Sequence, residues 1–192
     1  MLLPPFDTIL GNTIMNIVLS ALLLIFAQTD FYKEGKAQLD AKHYDEAEAM
    51  FQKLLAADAS SSQGHEGLAL VELARKNYDK ALENAKKAVE LNPERAGAHY
   101  ALGLVRAYRQ DFESAAPSLE KSLSLDPGNV YAHYQLALVQ FRLKRYDETI
   151  EHCERFIELT PNAPEAPQVK TLLRTAIRAL IDGDKGPSGL VL

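Results

Sequence analysis

The chain has 192 residues, of which 47% are hydrophobic and 24% charged, the make-up of one globular unit rather than a disordered or collagen-like chain. Acidic residues outnumber basic ones by 26 to 21, and between residues 28 and 163 by 22 to 17, so nucleic-acid binding, which needs a basic surface, is not expected. A single cysteine, Cys153, excludes an intrachain disulfide and is predicted to be a small buried hydrophobe.

Residues 14–27 form an almost unbroken apolar run of 14 residues. The run is longer than a signal peptide requires and shorter than a helix that spans a bilayer comfortably. No Lys or Arg precedes it, since the first basic residue is Lys33, and this is unusual for a secretory signal. We favour a hydrophobic signal peptide or membrane anchor over residues 1–27, and hence an exported or membrane-anchored protein. The alternative is a buried helix that caps the rest of the fold in a cytoplasmic protein.

An aromatic residue followed by an acid recurs every 34 residues. The aromatic positions are Tyr44, Tyr78, Phe112 and Tyr146. Small residues form two further columns at the same period, Gly35, Ala69, Gly103 and Ala137 in one, and Ala47, Ala81, Ala115 and Thr149 in the other. Small side chains let two helices approach closely. The columns therefore predict four similar units, each with a close helix crossing.

Each unit contains two stretches of about 13 residues with apolar residues three and four apart, the spacing of an amphipathic helix. We predict four helix-turn-helix units over residues 28–61, 62–95, 96–129 and 130–163. Pro93, Pro127 and Pro161 are predicted to stop the second helix of units two, three and four. Pro117 lies early in the second helix of unit three, so that helix is predicted to begin late or to bend.

Residues 164–182 are predicted to form one more amphipathic helix that covers the apolar end of the array. Its predicted buried face holds Val169, Leu172, Leu173, Ile177 and Leu180, and its opposite face holds Lys170, Arg174 and Arg178. Residues 183–192 are predicted to be a flexible tail.

The repeating columns resemble the tetratricopeptide repeat family, in their small residues, aromatic residue and closing proline. The resemblance covers residues 28–163. It departs from the family pattern where His65, His99 and His133 replace a tryptophan and where Thr149 replaces an alanine. The resemblance implies an all-α fold, a right-handed α-solenoid of four helix-turn-helix units plus the C-terminal capping helix.

In this family the first helices of the units line a concave groove that binds partners. The corresponding positions of this chain are aromatic and apolar in the second half of the array. The residues that we expect to contact a partner are Leu70, Tyr100, Leu104, Tyr108, Tyr131, Tyr134, Leu138 and Arg142. Tyr100 and Tyr134 could instead pack between helices, whereas Tyr108 and Tyr131 are predicted to be exposed. The basic clamp with which some members hold a partner's terminal carboxylate is absent, because its columns hold leucines.

No motif for catalysis or cofactor binding stands out in the sequence. There is no phosphate-binding loop and no nucleophile in a recognisable context. His65, His99 and His133 lie one full unit apart, too far to share a metal ion. We therefore expect no catalytic residue, no metal and no cofactor, and a protein that is not an enzyme.

The function expected from the sequence is that of a non-catalytic adaptor, which binds another protein or a peptide segment in the concave groove during assembly of an exported or membrane complex. The alternatives are a client-specific chaperone that shields an unassembled subunit, and a non-catalytic subunit of an enzyme complex. A membrane tether through residues 1–27 fits any of them.

Overall fold

The computed structural model describes residues 31–183, together with Met15, Ile17 and Val18. Over residues 31–183 it contains nine helices and no strand, so the all-α class is confirmed. Helix α1 covers residues 31–40 of the described range. The others are α2 (Tyr44–Ala57), α3 (Ser62–Ala74), α4 (Tyr78–Leu91), α5 (Ala96–Tyr108), α6 (Phe112–Leu125), α7 (Val130–Arg142), α8 (Tyr146–Leu159) and α9 (Ala166–Ile181).

The turn between the two helices of each unit has one conformation throughout the array. Its residues with positive φ, between 60° and 64°, are Lys42, Lys76, Gln110 and Lys144. One residue in the left-handed region reverses the chain in a very short turn. The second helices α2, α4, α6 and α8 therefore begin 34 residues apart, each at the aromatic residue of its unit.

Proline ends three of the second helices as predicted. The residue before each proline has left the helical region, with φ between −145° and −139° at Asn92, Asp126 and Thr160.

The prediction that the second helix of unit three begins late is wrong. Helix α6 begins at Phe112, in register with the other second helices, and continues through Pro117. Asp111 caps it, because its side chain accepts a hydrogen bond from the backbone N–H of Ser114. A capped start fixes the first turn, and the missing N–H of Pro117 removes one bond further along.

Within each unit, the two helices cross where a small residue faces a partner of complementary size. A Cβ added to Gly35 would lie 2.6 Å from the ring of Phe51, and one added to Gly103 would lie 2.6 Å from Leu119 Cγ. In units two and four the first helix has alanine, and the facing residue is small. The four facing pairs are Gly35–Phe51, Ala69–Ala85, Gly103–Leu119 and Ala137–Cys153.

Phe51 also reaches into the next unit, because a Cβ on Gly67 would meet its ring even more closely. The ring is fully buried between two glycines. Unit one is therefore joined to unit two by an aromatic ring held between backbone surfaces.

Cys153 is fully buried, as predicted. Burial raises the pKa of its thiol to about 12, and Glu154 adds to the effect. The thiol stays protonated at neutral pH and serves as a small core residue.

Helix α9 packs against α8 and α7 through Val169, Leu172, Ala176 and Ala179. Ile177 and Leu180, which were predicted to lie on this buried face, are 39% and 47% exposed. The prediction was wrong because it preferred the larger apolar residues to the alanines. Ala176 and Ala179 let the helix lie close to the array, and this turns the neighbouring Ile177 and Leu180 outward.

The predicted signal or anchor over residues 1–27 and the predicted tail over residues 183–192 lie outside the described residues, apart from Met15, Ile17, Val18 and Gly183. Among the described residues, no helix combines the length and the apolar character needed to cross a bilayer.

In units three and four, the histidine that replaces the family tryptophan ties the unit to the turn before it. His99 and His133 each donate a hydrogen bond from Nε2 to the carbonyl oxygen of the proline six residues earlier, at 2.8 and 3.2 Å. In units two and four, Nδ1 of this histidine faces the second helix of the same unit. In unit two His65 Nδ1 lies 3.0 Å from Asn84 Oδ1, and in unit four His133 Nδ1 lies 3.0 Å from His152 Nδ1.

This histidine pair joins two neutral imidazoles. Because a carbonyl oxygen only accepts, His133 carries its hydrogen on Nε2, and its Nδ1 then accepts a hydrogen bond from His152. Burial lowers the pKa of both rings, and for His152 the neighbouring His133 lowers it further. Protonation of His133 at Nδ1 removes the acceptor and breaks this hydrogen bond.

Replacing Gly67 with alanine should lower the free energy of unfolding by about 1–2 kcal/mol, because the overpacking against Phe51 exceeds the helix propensity that alanine gains. Urea denaturation measures the change. The same substitution in a Phe51→Leu background should be milder, since leucine already faces glycine in unit three. Gly128→Ala is the control, because its Cβ would meet only Asp126 Oδ1, at 3.5 Å. Equal effects of Gly67→Ala and Gly128→Ala would show that Phe51 does not limit this site.

The folded protein should lose stability as the pH falls below about 6.5, the pKa of an unperturbed histidine. The pKa values of His133 and His152 are lowered by folding, so their contribution is complete above the unfolded pKa and is lost as the pH falls towards the folded values. His152→Asn copies the His65–Asn84 pair and should reduce this pH dependence. Urea denaturation between pH 7.5 and about pH 5 tests this; an unchanged slope in the variant would contradict it.

Candidate functional site

The first helices of the units line the inner side of the array. Helix α3 contacts α5, and α5 contacts α7, whereas no contact joins the described second helices α2, α4, α6 and α8 to one another. Inner helices that touch and outer helices that do not are the signature of a curved array. The surface of α3, α5 and α7 is therefore concave.

A cleft of about 530 Å³ opens on this concave surface between α5 and α7. It brings together four of the eight residues that the sequence predicted, Tyr108, Tyr134, Leu138 and Arg142. Phe112, at the start of α6, also lines it. We call this the aromatic cleft.

Tyr108 and Tyr131 are 57% and 56% exposed, as predicted. Tyr134 is half-buried, and its ring centroid lies 5.7 Å from that of Phe156. Burial raises the pKa of Tyr134, with smaller contributions from Glu165, Cys153 and Tyr108. The phenol of Tyr134 is therefore neutral and can donate a hydrogen bond. Its ring packs against the core, and the residue lines the aromatic cleft.

Arg142 is the one arginine between residues 31 and 165 without a partner among the described residues. Five others pair with carboxylates, and Arg106 donates to the backbone oxygen of Ser114 and to Ser118 Oγ. Arg142 is exposed at the rim of the aromatic cleft, and no acidic residue lines that cleft. The cleft thus combines an apolar wall with one positive charge that no described carboxylate neutralises.

A second cleft of about 470 Å³, which we call the polar cleft, lies towards the N-terminal end of the same surface. Tyr100 and Tyr131 line it together with Lys36, Arg95 and Asn129. Tyr100 is half-buried between two core clusters. It therefore packs between helices, which was the alternative stated for it in the sequence analysis. Burial raises its pKa, and Tyr108 and Tyr131 add to the effect.

Leu70 and Leu104 lie closer to the core than to the groove. They are 8% and 7% exposed and belong to the cluster around Ala69, Ala85 and Val105. Their side chains offer little surface to a partner.

The floor of the polar cleft is closed by a buried carboxylate. Glu66 is 3% exposed and accepts hydrogen bonds from Tyr32 Oη and Arg95 Nε, both at 2.5 Å. The guanidinium of Arg95 also lies over the Tyr32 ring, 5.0 Å from its centroid. Burial raises the pKa of Tyr32, and the Glu66 carboxylate raises it further, so Tyr32 remains a donor. Side chains from α1, from α3 and from the N-cap of α5 meet at this one carboxylate.

Gly97 makes room for this group, because a Cβ there would lie 2.5 Å from a Glu66 carboxylate oxygen. Sequence reasoning missed Arg95. A signal was present: Ser61 and Asn129, the N-cap residues of α3 and α7, cap their helices with side-chain hydrogen bonds, whereas Arg95, at the N-cap of α5, makes none. The arginine does not cap its helix, although the residues at the equivalent positions do. This difference indicates that Arg95 has another role.

Within the described residues, no group of three or more His, Cys, Asp or Glu side chains is arranged to hold a metal ion. His133 Nδ1 and His152 Nδ1 lie 3.0 Å apart, and sequence reasoning missed this contact because the two histidines lie 19 residues apart.

The sequence model of the tetratricopeptide repeat family matches residues 32–96, 76–107 and 100–164. The chain belongs to this family. Tetratricopeptide repeat proteins are in general interaction modules that bind peptides or proteins, rather than enzymes. A search of curated protein sequences finds no significant match.

Solved tetratricopeptide repeat structures share the fold. PilF of Pseudomonas aeruginosa is 21% identical with a TM-score of 0.71, and the match covers 83% of this chain and 71% of PilF. MamA of strain AMB-1 is 20% identical with a TM-score of 0.63, covering 84% and 93%. YrrB, described as having an unusual peptide-binding site, is 18% identical with a TM-score of 0.62, covering 81% and 79%. At these identities the similarity concerns the fold alone.

Replacing Arg95 with methionine should lower the free energy of unfolding by about 3 kcal/mol, because Glu66 would be left buried without its counter-charge. Replacing both residues with methionine should restore most of the stability. Arg109→Met is the matched control. It breaks an exposed pair with Asp79, which contributes less than about 1 kcal/mol. If the two single variants unfold at the same urea concentration, Glu66 does not depend on Arg95.

Proposed function

We propose that this protein is a non-catalytic adaptor that holds a segment of a partner protein in the aromatic cleft. An apolar side chain of the segment lies against Tyr108, Tyr134 and Leu138, and a neighbouring carboxylate of the segment pairs with Arg142. The observation that carries the proposal is the position of an arginine without a partner among the described residues, at the rim of an apolar cleft without acids.

The chemistry of the cleft supports this kind of partner. Tyrosine offers a large contact area with a polar tip and has few torsions to immobilise, which is why it is frequent at binding surfaces. The volume of about 530 Å³ lies in the range of small binding pockets and fits one or two large side chains. A guanidinium beside such a pocket can bind a carboxylate through two hydrogen bonds.

YrrB adds a precedent, since a protein with this fold is described as having a peptide-binding site. The match does not carry contact residues over to this chain. It supports only the choice of a peptide segment as the occupant.

We further propose that the apolar run of residues 14–27 directs the protein to a membrane, either for export or as a tether. The support is the length and composition of the run. Cell fractionation of the native protein, with sequencing of its N-terminus, tests this. Recovery in the soluble cytoplasmic fraction with residues 1–27 intact would rule it out.

A random peptide library selected on the full-length protein tests the cleft. We expect enriched peptides in which a large apolar or aromatic residue lies close to Asp or Glu. Their affinity, measured by fluorescence anisotropy, should fall about tenfold or more for Tyr108→Ala, the loss of one well-placed interface tyrosine. It should also fall for Arg142→Glu, with less salt dependence than in the wild type.

Lys86→Glu is the control for the charge change, since it reverses an exposed charge on the outer helix α4. Tyr131→Ala shows whether the polar cleft contributes. Enriched peptides that bind Tyr108→Ala and Arg142→Glu as tightly as the wild type would exclude the aromatic cleft as the binding site.

A further inference from the structure

Among the described helices, the capping helix α9 alone combines three basic residues with no acid. Between residues 31 and 165 there are 17 basic and 22 acidic side chains. Helix α9 has three basic residues, Lys170, Arg174 and Arg178, and no acid. Its charge is therefore opposite to that of the array that it covers.

These bases are not used to stabilise the fold. No ion pair among the described residues includes Lys170, Arg174 or Arg178. Arg174 donates from Nε to the backbone oxygen of Lys170 in its own helix, at 3.2 Å, and all three side chains are exposed.

Exposed apolar side chains lie on the same face. Ile177, Leu180 and Ile181 are 39%, 47% and 76% exposed. At 100° per residue, Ile177, Lys170, Ile181 and Arg174 fall within a sector of about 60°. The opposite face packs on the array through alanines, valine and leucine. The basic and apolar side chains therefore share one face of α9 that points away from the fold.

We propose that this face of α9 docks the protein onto an anionic membrane surface. Lys and Arg side chains reach lipid phosphates with their charged ends, while isoleucines beside them enter the boundary between head groups and acyl chains. Helix α9 packs only on α7 and α8 and is the last described helix, so its outer face is unobstructed by other described residues. A convex face of this kind fits a planar lipid interface better than the concave groove of a protein.

This inference does not depend on the proposed function. Helix α9 contributes no residue to the aromatic cleft, so peptide binding and membrane docking can fail separately. The two surfaces would let the protein hold a partner segment close to a membrane.

The test is co-sedimentation of the full-length protein with vesicles of phosphatidylcholine alone, or with about one third phosphatidylglycerol added. We expect clearly tighter binding to the anionic vesicles, weakening as salt rises. Replacing Lys170, Arg174 and Arg178 together with glutamine should weaken this binding on the order of a hundredfold, since each base contributes about a factor of five. Replacing Ile177 and Ile181 with serine should weaken binding at every salt concentration.

The matched control replaces Lys80, Lys86 and Lys87, which are exposed on α4, with glutamine. It makes the same change in net charge and should leave binding unchanged. All the substituted side chains are exposed, and thermal melting followed by circular dichroism checks that each variant is folded. Equal binding to both vesicle types, no binding to either, or an equal loss in the control would each overturn the proposal. Any binding through residues 14–27 would not depend on lipid charge and would persist in the glutamine variant.

Discussion

The close crossing of the two helices in each unit is the constraint on which the rest of the structure depends. Where the first helix has glycine the second presents Phe51 or Leu119, and where it has alanine the second presents Ala85 or Cys153. A large side chain on the second helix fills the space that glycine leaves on the first, so the helices still pack closely while the sequence varies. Because the crossings are similar, successive units stack on one another in the same way. This stacking brings the first helices into contact on the inner side of the array. The groove is thus a consequence of how small side chains are distributed.

The two halves of that groove differ because of what fills the space between units. Towards the N-terminus, the buried carboxylate of Glu66 accepts hydrogen bonds from Tyr32 and Arg95. These polar groups at the floor of the polar cleft are therefore already paired with one another. A buried pair of this kind contributes less to stability than to fixing which units meet. Towards the C-terminus, tyrosines and Leu138 occupy the equivalent space, and Arg142 is left at the rim without a carboxylate among the described residues. The same backbone therefore offers a closed polar region and an open apolar one.

The sequence predicted the features that depend on a single helix or on the 34-residue period. It did not predict which side chains make contacts between helices and between units. The helix pairs follow from the spacing, and the exposure of Tyr108 and Tyr131 agrees with the groove positions that the family resemblance implies. The Glu66–Arg95 and His133–His152 contacts join residues 29 and 19 positions apart, and no periodic pattern selects which side chains pair across such distances. The face of α9 was misjudged for a related reason. Side-chain size favoured Ile177 and Leu180 as core residues, but the closeness of the helix to the array favours the alanines.

That closeness also explains why α9 can serve two roles. A cap built on leucine and isoleucine would use its large apolar residues to cover the last unit and would present only polar groups to its surroundings. Here Ala176 and Ala179 complete the packing, so the isoleucines remain on the outside among three bases. Exposing Ile181 to water brings no gain to the fold itself. An apolar and basic face of this kind is therefore better understood as a contact surface than as a part of the core.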